Sequence, residues 1–130
     1  MTLKSPPGAV VREMTADPEC FTGVRRRVQE QLCAWGRTEL ADAAALCVTE
    51  LLTNVHRHVA SPACVLTLDR LPAGGVRVAV ADSSHVVPVP GPPPGGTEER
   101  GRGLLLVAAV AERWGITLTA TGKQVWAELR

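Results

Sequence analysis

The sequence is poor in aromatic residues and in net charge, and both shortages exclude functions. Only 3% of its 130 residues are aromatic, with no tyrosine and one phenylalanine. Single-stranded nucleic acid is bound on aromatic side chains that stack with the bases, so this mode of binding is excluded. Lysine and arginine number 14 against 13 aspartates and glutamates, which gives a formal net charge of +1. Binding to duplex nucleic acid depends on a surplus of basic residues, so we expect no direct nucleic-acid partner.

Long apolar runs and paired cysteines are also missing. No apolar run approaches the ~20 residues of a membrane-spanning helix, and residues 1–8 lack the apolar core of a signal peptide. We therefore expect a cytoplasmic protein that does not bind membranes. No two of the four cysteines form a C-x-x-C pair, so the usual spacing of a zinc site is absent. We expect all four to be reduced thiols that serve as small buried side chains: Cys20, Cys33, Cys47 and Cys64.

The composition that remains is that of one globular domain, with 45% hydrophobic and 21% charged residues. We expect a flexible tail over residues 1–8 and one domain over residues 9–130. Asp17 and Pro18 are typical of a helix start, and Gly36 is typical of a helix end. Helical spacing of apolar residues then predicts a second helix over about residues 39–58.

Alternating apolar residues predict two hairpins and a short first strand. The predicted strands span residues 10–14, 64–71, 76–81, 116–120 and 125–129, with a third helix over residues 103–114. Helices and hairpins in this order predict an α+β fold, a two-layer α/β sandwich. Its mostly antiparallel sheet is covered on one face by helices. Residues 83–100 form a long loop that holds half of the ten prolines, and loops of this length in compact domains are usually functional.

Polar residues recur every four positions on the second predicted helix. Glu50, Asn54 and His58 lie at i, i+4 and i+8, which places them on one helix face. Glu50 could act as a general base, and the Asn54 carbonyl oxygen could bind a hard cation such as Mg²⁺. The alternative is a solvated polar face without a function.

Two further features lie at the ends of predicted elements. Asp82 ends a strand, where its carboxylate could accept a hydrogen bond from a ligand amine or simply cap the turn. The segment 101–103 (GRG) precedes a helix, and glycines there allow the backbone to approach phosphate oxygens. This segment alone is a weak signal, because it lacks the third glycine of the dinucleotide-binding fingerprint.

The order of these motifs resembles that of the GHKL (Bergerat-fold) ATPases. Residues 50–58 (ELLTNVHRH) resemble the N box of that family, and residues 81–84 (ADSS) resemble the aspartate of its first glycine box. Residues 101–107 (GRGLLLV) resemble the second glycine box, and residues 122–126 (GKQVW) resemble the hairpin that closes the pocket. Within this superfamily, the chain is most similar to the short anti-sigma-factor serine/threonine kinases.

The resemblance implies a Bergerat ATP-binding fold that uses ATP and Mg²⁺. Asn54 would hold Mg²⁺, Glu50 would be the catalytic base, and Asp82 would accept from the adenine amino group. Residues 83–100 would form the ATP lid. Further nucleotide contacts would come from Ser84, Gly101, Arg102, Gly103 and Leu104. Three residues depart from the family pattern, which has glycine at two of these positions and threonine at the third: Ser84, Val86 and Lys123.

The function implied by the resemblance is that of an ATP-binding anti-sigma factor. It would bind an alternative sigma factor and phosphorylate a serine or threonine of an anti-anti-sigma protein, and it would form a homodimer like its relatives. The alternative is a non-catalytic, nucleotide-sensing regulatory module that sequesters a sigma factor or another partner. The ATP-binding half of a two-component histidine kinase is less favoured, because the sequence has no room for a phosphoacceptor helix pair.

Overall fold

A computed structural model of the protein describes residues 8–87 and 102–130. Short 3-10 turns at Pro18–Cys20 and Thr38–Leu40 precede the first two α-helices. The helices and strands follow the predicted order: β1 (Ala9–Thr15), α1 (Phe21–Ala34), α2 (Ala41–His58), β2 (Ala63–Arg70), β3 (Val76–Asp82), α3 (Arg102–Val110), β4 (Arg113–Leu118) and β5 (Lys123–Leu129).

The residues that predicted the start of the first helix form the 3-10 turn that leads into it. The Asp17 carboxylate accepts a hydrogen bond from the Glu19 amide at 3.1 Å, and Pro18 occupies the first turn. The end of the helix is marked by Gly36, whose φ of +74° lies in the left-handed region that favours glycine. The predicted end of the helix is therefore confirmed, whereas its α-helical part begins only at Phe21, where no side chain caps the first turn.

The five strands form one sheet in the order β1-β2-β3-β5-β4, and every neighbouring pair is antiparallel. Strand alternation buries one face of the sheet, and helix α2 contacts β3 and β5 on that face. The predicted two-layer α+β sandwich is thereby confirmed. In the described ranges, no helix has the length and hydropathy that a membrane crossing requires.

Helix α2 occupies the centre of the core. It contacts α1, α3 and the sheet, and the apolar stripe whose spacing predicted it is buried except for the partly buried Leu40. The buried residues of that stripe are Ala44, Cys47, Leu51 and Val55. Since this stripe fixes the rotation of the helix, the neighbouring polar positions are held at the border of the core, where they are half-buried.

The third helix is shorter than the sequence predicts. It ends at Val110 instead of residue 114, and Trp114 lies in β4. The Glu112 amide donates to the carbonyl oxygen of Glu128 at 2.8 Å, so pairing with β5 begins where the helical pattern continues. Apolar residues at helical spacing (positions 104, 107, 108 and 111) predict that Ala108 points inward, but it is exposed. Sheet pairing has overridden the helical preference of this alanine-rich run.

Two of the four cysteines are not buried, which corrects the prediction. Cys20 and Cys33 are exposed, while Cys47 and Cys64 are buried, and all four are free thiols. Cys33 follows the fully buried Leu32 on α1 and therefore lies off the buried stripe. Burial is the main reason that the pKa of Cys47 rises to about 12 and that of Cys64 to about 11.

The face of the sheet opposite the helices carries Trp126, for which the alternation of the last strand leaves open a place under a helix or at a dimer contact. Its ring lies 4.5 Å from the Arg77 guanidinium and 5.9 Å from that of Arg113. Both arginines pair with the buried carboxylate of Glu128, at 3.7 and 2.8 Å. A Cβ atom at Gly115 would lie 2.6 Å from the indole ring, so this glycine makes room for it. This position excludes cover by a described helix, and a dimer contact at Trp126 stays a prediction.

Candidate functional site

Helix α2 presents the predicted catalytic and metal-binding residues one turn apart. Glu50 and Asn54 are both half-buried, while His58 at the end of the helix is exposed. Burial raises the pKa of Glu50, and the nearby Arg57 guanidinium partly offsets this rise. A carboxylate with raised proton affinity is suited to accept a proton from a hydroxyl group.

The threonines beside these two residues serve the helix itself. The Thr49 hydroxyl donates to the carbonyl oxygen of Ala45 at 2.9 Å, and the Thr53 hydroxyl donates to that of Thr49 at 2.8 Å. These hydroxyls are therefore engaged within α2. Glu50 and Asn54 are the polar side chains of this segment that remain suited to ligand chemistry.

Asp82, the last residue of β3, forms a buried ion pair with Lys123 of β5. The two residues are opposite each other in the sheet register, and Lys123 Nζ lies 2.9 Å from Asp82 Oδ1. Their side chains are only 2% and 3% exposed, respectively. The Ser84 amide donates to the same oxygen at 2.8 Å. The carboxylate is thus held in one orientation by a cation and an amide.

Gly122 brings the last hairpin directly against Asp82. A Cβ atom at position 122 would overlap the Asp82 carbonyl oxygen and would lie 2.8 Å from the Ser83 Cα. Only glycine allows so close an approach of the two backbones. The closing hairpin therefore lies beside Asp82, as the resemblance implies.

Lys123 is a residue of this site that sequence reasoning missed. It stood out only as a departure from the family threonine, whereas its side chain is in fact in contact with Asp82. A signal was available in the strand pattern. In a strand, residues 123, 125, 127 and 129 point to the same face of the sheet. Since the last three are apolar and buried, the pattern predicts that Lys123 also points into the core.

The segment after Asp82 is fixed at its beginning. The Val86 amide donates to the Ser84 hydroxyl oxygen at 3.1 Å, and a ring nitrogen of His85 lies 3.0 Å from the Thr119 carbonyl oxygen. These contacts tie the first residues of the predicted lid to the β4–β5 turn. The remainder of the lid, residues 88–100, lies outside the described residues.

The second glycine box is described only in part. Gly101 lies outside the described residues, and Arg102 and Gly103 form the start of α3. The Leu104 side chain is 2% exposed and belongs to the core, so only its main chain could contact a ligand. Helix α2 contacts α3, β3 and β5, which are the elements that carry the other candidate residues. The fold thus brings the predicted motifs onto elements that meet at α2.

The amide oxygen of Asn54 is suited to a magnesium ion that is also bound by the phosphates of a substrate. Among residues 8–87 and 102–130, no three His, Cys, Asp or Glu side chains are grouped as metal ligands. Mg²⁺ keeps several waters and is commonly held by one or two protein oxygens together with substrate phosphates. The amide oxygen of Asn54 fits such a site, whereas zinc would need more nitrogen or sulfur ligands.

Comparisons with known proteins agree with this fold. A protein of Streptomyces coelicolor described as uncharacterized is 48% identical over 73 residues, which cover 53% of this chain and 68% of that protein. The crystal structure of the RsbU and RsbW domains of Rv1364c from Mycobacterium tuberculosis has a similar fold, with a TM-score of 0.70 at 19% identity. The similarity covers 98% of this chain and 33% of that one, so this chain spans about a third of its length.

A family model is matched over residues 14–129, a span that includes both the α2 motif and the Asp82–Lys123 pair. Membership of a family of ATPase domains implies that the chain binds ATP. The chain belongs to the family of histidine kinase-like ATPase domains.

Proposed function

We propose that the protein is an ATP-binding anti-sigma factor that phosphorylates a serine or threonine of an anti-anti-sigma protein. The observation that carries the proposal is the buried Asp82 carboxylate, oriented by Lys123 and the Ser84 amide in an ATPase-family fold. The similarity in fold to a chain with an RsbW domain supports this branch of the family.

Asp82 would bind the adenine base. In the described part of the chain, both contacts to its carboxylate fall on Oδ1. Oδ2 is then the oxygen suited to accept a hydrogen bond from the adenine amino group. Since the side chain is held from two sides, little ordering is needed when the base binds.

Asn54 would hold Mg²⁺ through its amide oxygen. When bound, this ion neutralises charge on the phosphates of ATP, which is the main requirement of phosphoryl transfer. The position of Asn54 on α2, one turn after Glu50 and next to the buried Val55, supports this role.

Glu50 would act as the base. The acceptor hydroxyl oxygen forms a bond to the γ-phosphorus, and the bond between that phosphorus and the β–γ bridging oxygen breaks. The hydroxyl proton moves to the Glu50 carboxylate, and ADP leaves with the bridging oxygen. The raised pKa of Glu50, caused by burial, favours this proton transfer.

Calorimetric titration of the purified protein with ATP, with and without Mg²⁺, tests the binding step. We expect magnesium-dependent binding that is lost in Asp82→Asn and retained in Asp69→Asn, a matched change on the opposite face of the sheet. Circular dichroism would verify that each variant is folded. Absence of binding to the folded unaltered protein at millimolar ATP would refute the proposal.

Transfer of labelled phosphate to candidate anti-anti-sigma proteins tests the catalytic step. We expect Glu50→Gln to keep ATP binding and lose transfer, and Glu39→Gln, at an exposed position, to leave both unchanged. Transfer at the normal rate in Glu50→Gln would contradict the role of this carboxylate. Sedimentation of the protein alone would test the expected homodimer.

A non-catalytic regulatory module is the second candidate function. The observation that favours it is the presence of Lys123, which engages Asp82 where the family pattern has a threonine. This candidate predicts that a sigma factor or another partner is bound with an affinity that differs between ATP and ADP, with no phosphate transfer. Transfer that depends on Glu50 would exclude it.

A further inference from the structure

The ion pair between Asp82 and Lys123 is not explained by stability. Lys123 is 3% exposed, and it is one of three buried charged residues in the described part of the chain. Moving two charges out of water costs several kcal/mol per ion, and apolar replacements of similar volume are often equally stable. An ion pair in this position, beside the carboxylate that we assign to adenine, therefore suggests a role toward the ligand.

The geometry places a donor next to an acceptor. Lysine carries three N–H donors, and the bond from Lys123 Nζ to Asp82 Oδ1, at 2.9 Å, uses one of them. Asp82 retains acceptor capacity on its second oxygen. Both side chains are buried, so a ligand group that fails to match them leaves a polar group unpaired at considerable cost.

We propose that Lys123 reads the base by donating a hydrogen bond to N1 of adenine, while Asp82 accepts from the neighbouring amino group. This inference rests on the proposed function, because it assumes that adenine occupies this site. The edge of adenine presents an amine donor beside the N1 acceptor, which complements the Asp82–Lys123 pair. Hypoxanthine presents a carbonyl oxygen beside an N1–H group, so its acceptor and its donor face the wrong partners. Lys123 is therefore a specificity-determining residue.

The position of the lysine is set by the fold before any ligand binds. The register places Lys123 opposite Asp82, and Gly122 holds the two strands in close approach. The Ser84 amide fixes the carboxylate to which Nζ is bonded. A donor that is held in this way loses little conformational freedom on binding, which favours selective recognition.

The first test uses the unaltered protein and three nucleotides. Calorimetric titration with ATP, 1-deaza-ATP and 7-deaza-ATP compares the loss of N1 with the loss of another ring nitrogen. Since hydrogen bonds to charged groups are among the stronger ones, we expect removal of N1 to weaken binding about tenfold or more, and removal of N7 to weaken it less than about threefold. Equal affinity for ATP and 1-deaza-ATP overturns the proposal, as does an equal loss for the two analogues.

The second test removes the ammonium group. In Lys123→Met we expect weaker binding of ATP, no further loss with 1-deaza-ATP, and a smaller preference for ATP over ITP. If the folded variant keeps the full penalty for 1-deaza-ATP, Lys123 does not contact N1. The nucleotide series on the unaltered protein decides the proposal even where the variant does not fold. A protein that binds no ATP refutes the proposed function instead, so the two failures are distinguishable.

Discussion

Substitution of Gly122 by alanine should weaken the fold and the site together. A Cβ atom at this position would overlap the carbonyl oxygen of Asp82 and would lie 2.8 Å from the Ser83 Cα, which is 0.6 Å inside the 3.4 Å at which ordinary contact begins. The neighbouring atoms belong to the backbone, so no side chain can rotate away. The strands β3 and β5 must separate at the position of the Asp82–Lys123 pair.

The expected magnitude follows from the kind of contact. Overpacking in a well-packed core costs about 1–3 kcal/mol, and the upper half of this range applies because both sides of the contact are backbone. The next residue is Lys123, whose 2.9 Å contact with Asp82 would lengthen as well. We therefore expect a loss of roughly 2–3 kcal/mol in the free energy of unfolding. For a chain of this length, that corresponds to a fall in Tm of roughly 6–15 °C.

Gly23→Ala is a matched control with the opposite expected sign. Gly23 is exposed on helix α1, and a Cβ atom there would have no neighbour within 4 Å. Alanine in place of glycine inside a helix stabilises by roughly 0.5–1 kcal/mol. The same chemical change should therefore stabilise the protein at position 23 and destabilise it at position 122.

Urea denaturation followed by tryptophan fluorescence measures both changes. The midpoint should fall for Gly122→Ala and rise for Gly23→Ala, with an unchanged slope. ATP titration of the folded Gly122→Ala variant should show weaker binding, since the orientation of Asp82 depends on this approach. A Gly122→Ala protein with the stability and affinity of the unaltered chain would refute the close approach from which the prediction is derived.

Three further predictions concern other parts of the molecule. Glu128→Ala removes a carboxylate that is 7% exposed. Its two arginine partners reach water and can be solvated after the change, so we expect the free energy of unfolding, measured by urea denaturation, to fall by only about 1–3 kcal/mol. The exposed ion pair between Arg37 and Glu39 should contribute less than about 1 kcal/mol in the same assay, and equal losses for the two glutamates would contradict the burial of Glu128. The exposed thiols of Cys20 and Cys33 should react with a thiol reagent at pH 8 in the folded protein. Cys47 and Cys64, whose raised pKa keeps them protonated, should react only after denaturation. Rapid reaction of all four thiols in the folded protein would contradict this expectation. The pKa of Glu50 is raised, so phosphate transfer should be lost on acidification at a higher pH than for an ordinary glutamate. Because the folded protein binds this proton more tightly than the unfolded chain, the contribution of Glu50 to the free energy of unfolding should increase as the pH falls through its pKa. A pH profile of transfer checks the first expectation, and unfolding at several pH values, compared with Glu50→Gln, checks the second.

Much of the fold could be predicted because local signals and tertiary packing agree. The cap at Asp17, the glycine at position 36 and the apolar stripe of α2 each act over a few residues, so the sequence alone indicates them. The end of α3 could not be predicted in this way. An alanine-rich run continues the helical pattern, but the Glu112 amide pairs with Glu128, which is 16 residues away.

In the candidate site, too, features that depend on neighbouring residues could be predicted, and contacts between distant residues could not. The spacing of Glu50 and Asn54 is a property of one helix, and the resemblance of the motifs identified the family that the comparison confirms. The roles of Glu50, Asn54 and Asp82 remain predictions, because they concern ligands. Lys123 was not recognised as a site residue, because its partner Asp82 lies 41 residues earlier in the chain.

The two-layer α+β architecture, the family and the elements that carry the candidate residues could be predicted from the sequence, because periodicity and capping are local and motif order is linear. The contact of Lys123 with Asp82 and the close approach of Gly122 to the Asp82 backbone arise only when the chain is folded. Such contacts depend on strand register, which is set by turn geometry and by the burial of one whole face of the sheet. A shift of one residue would turn Lys123 to the opposite face of the sheet, so the chemistry of this site follows from the register.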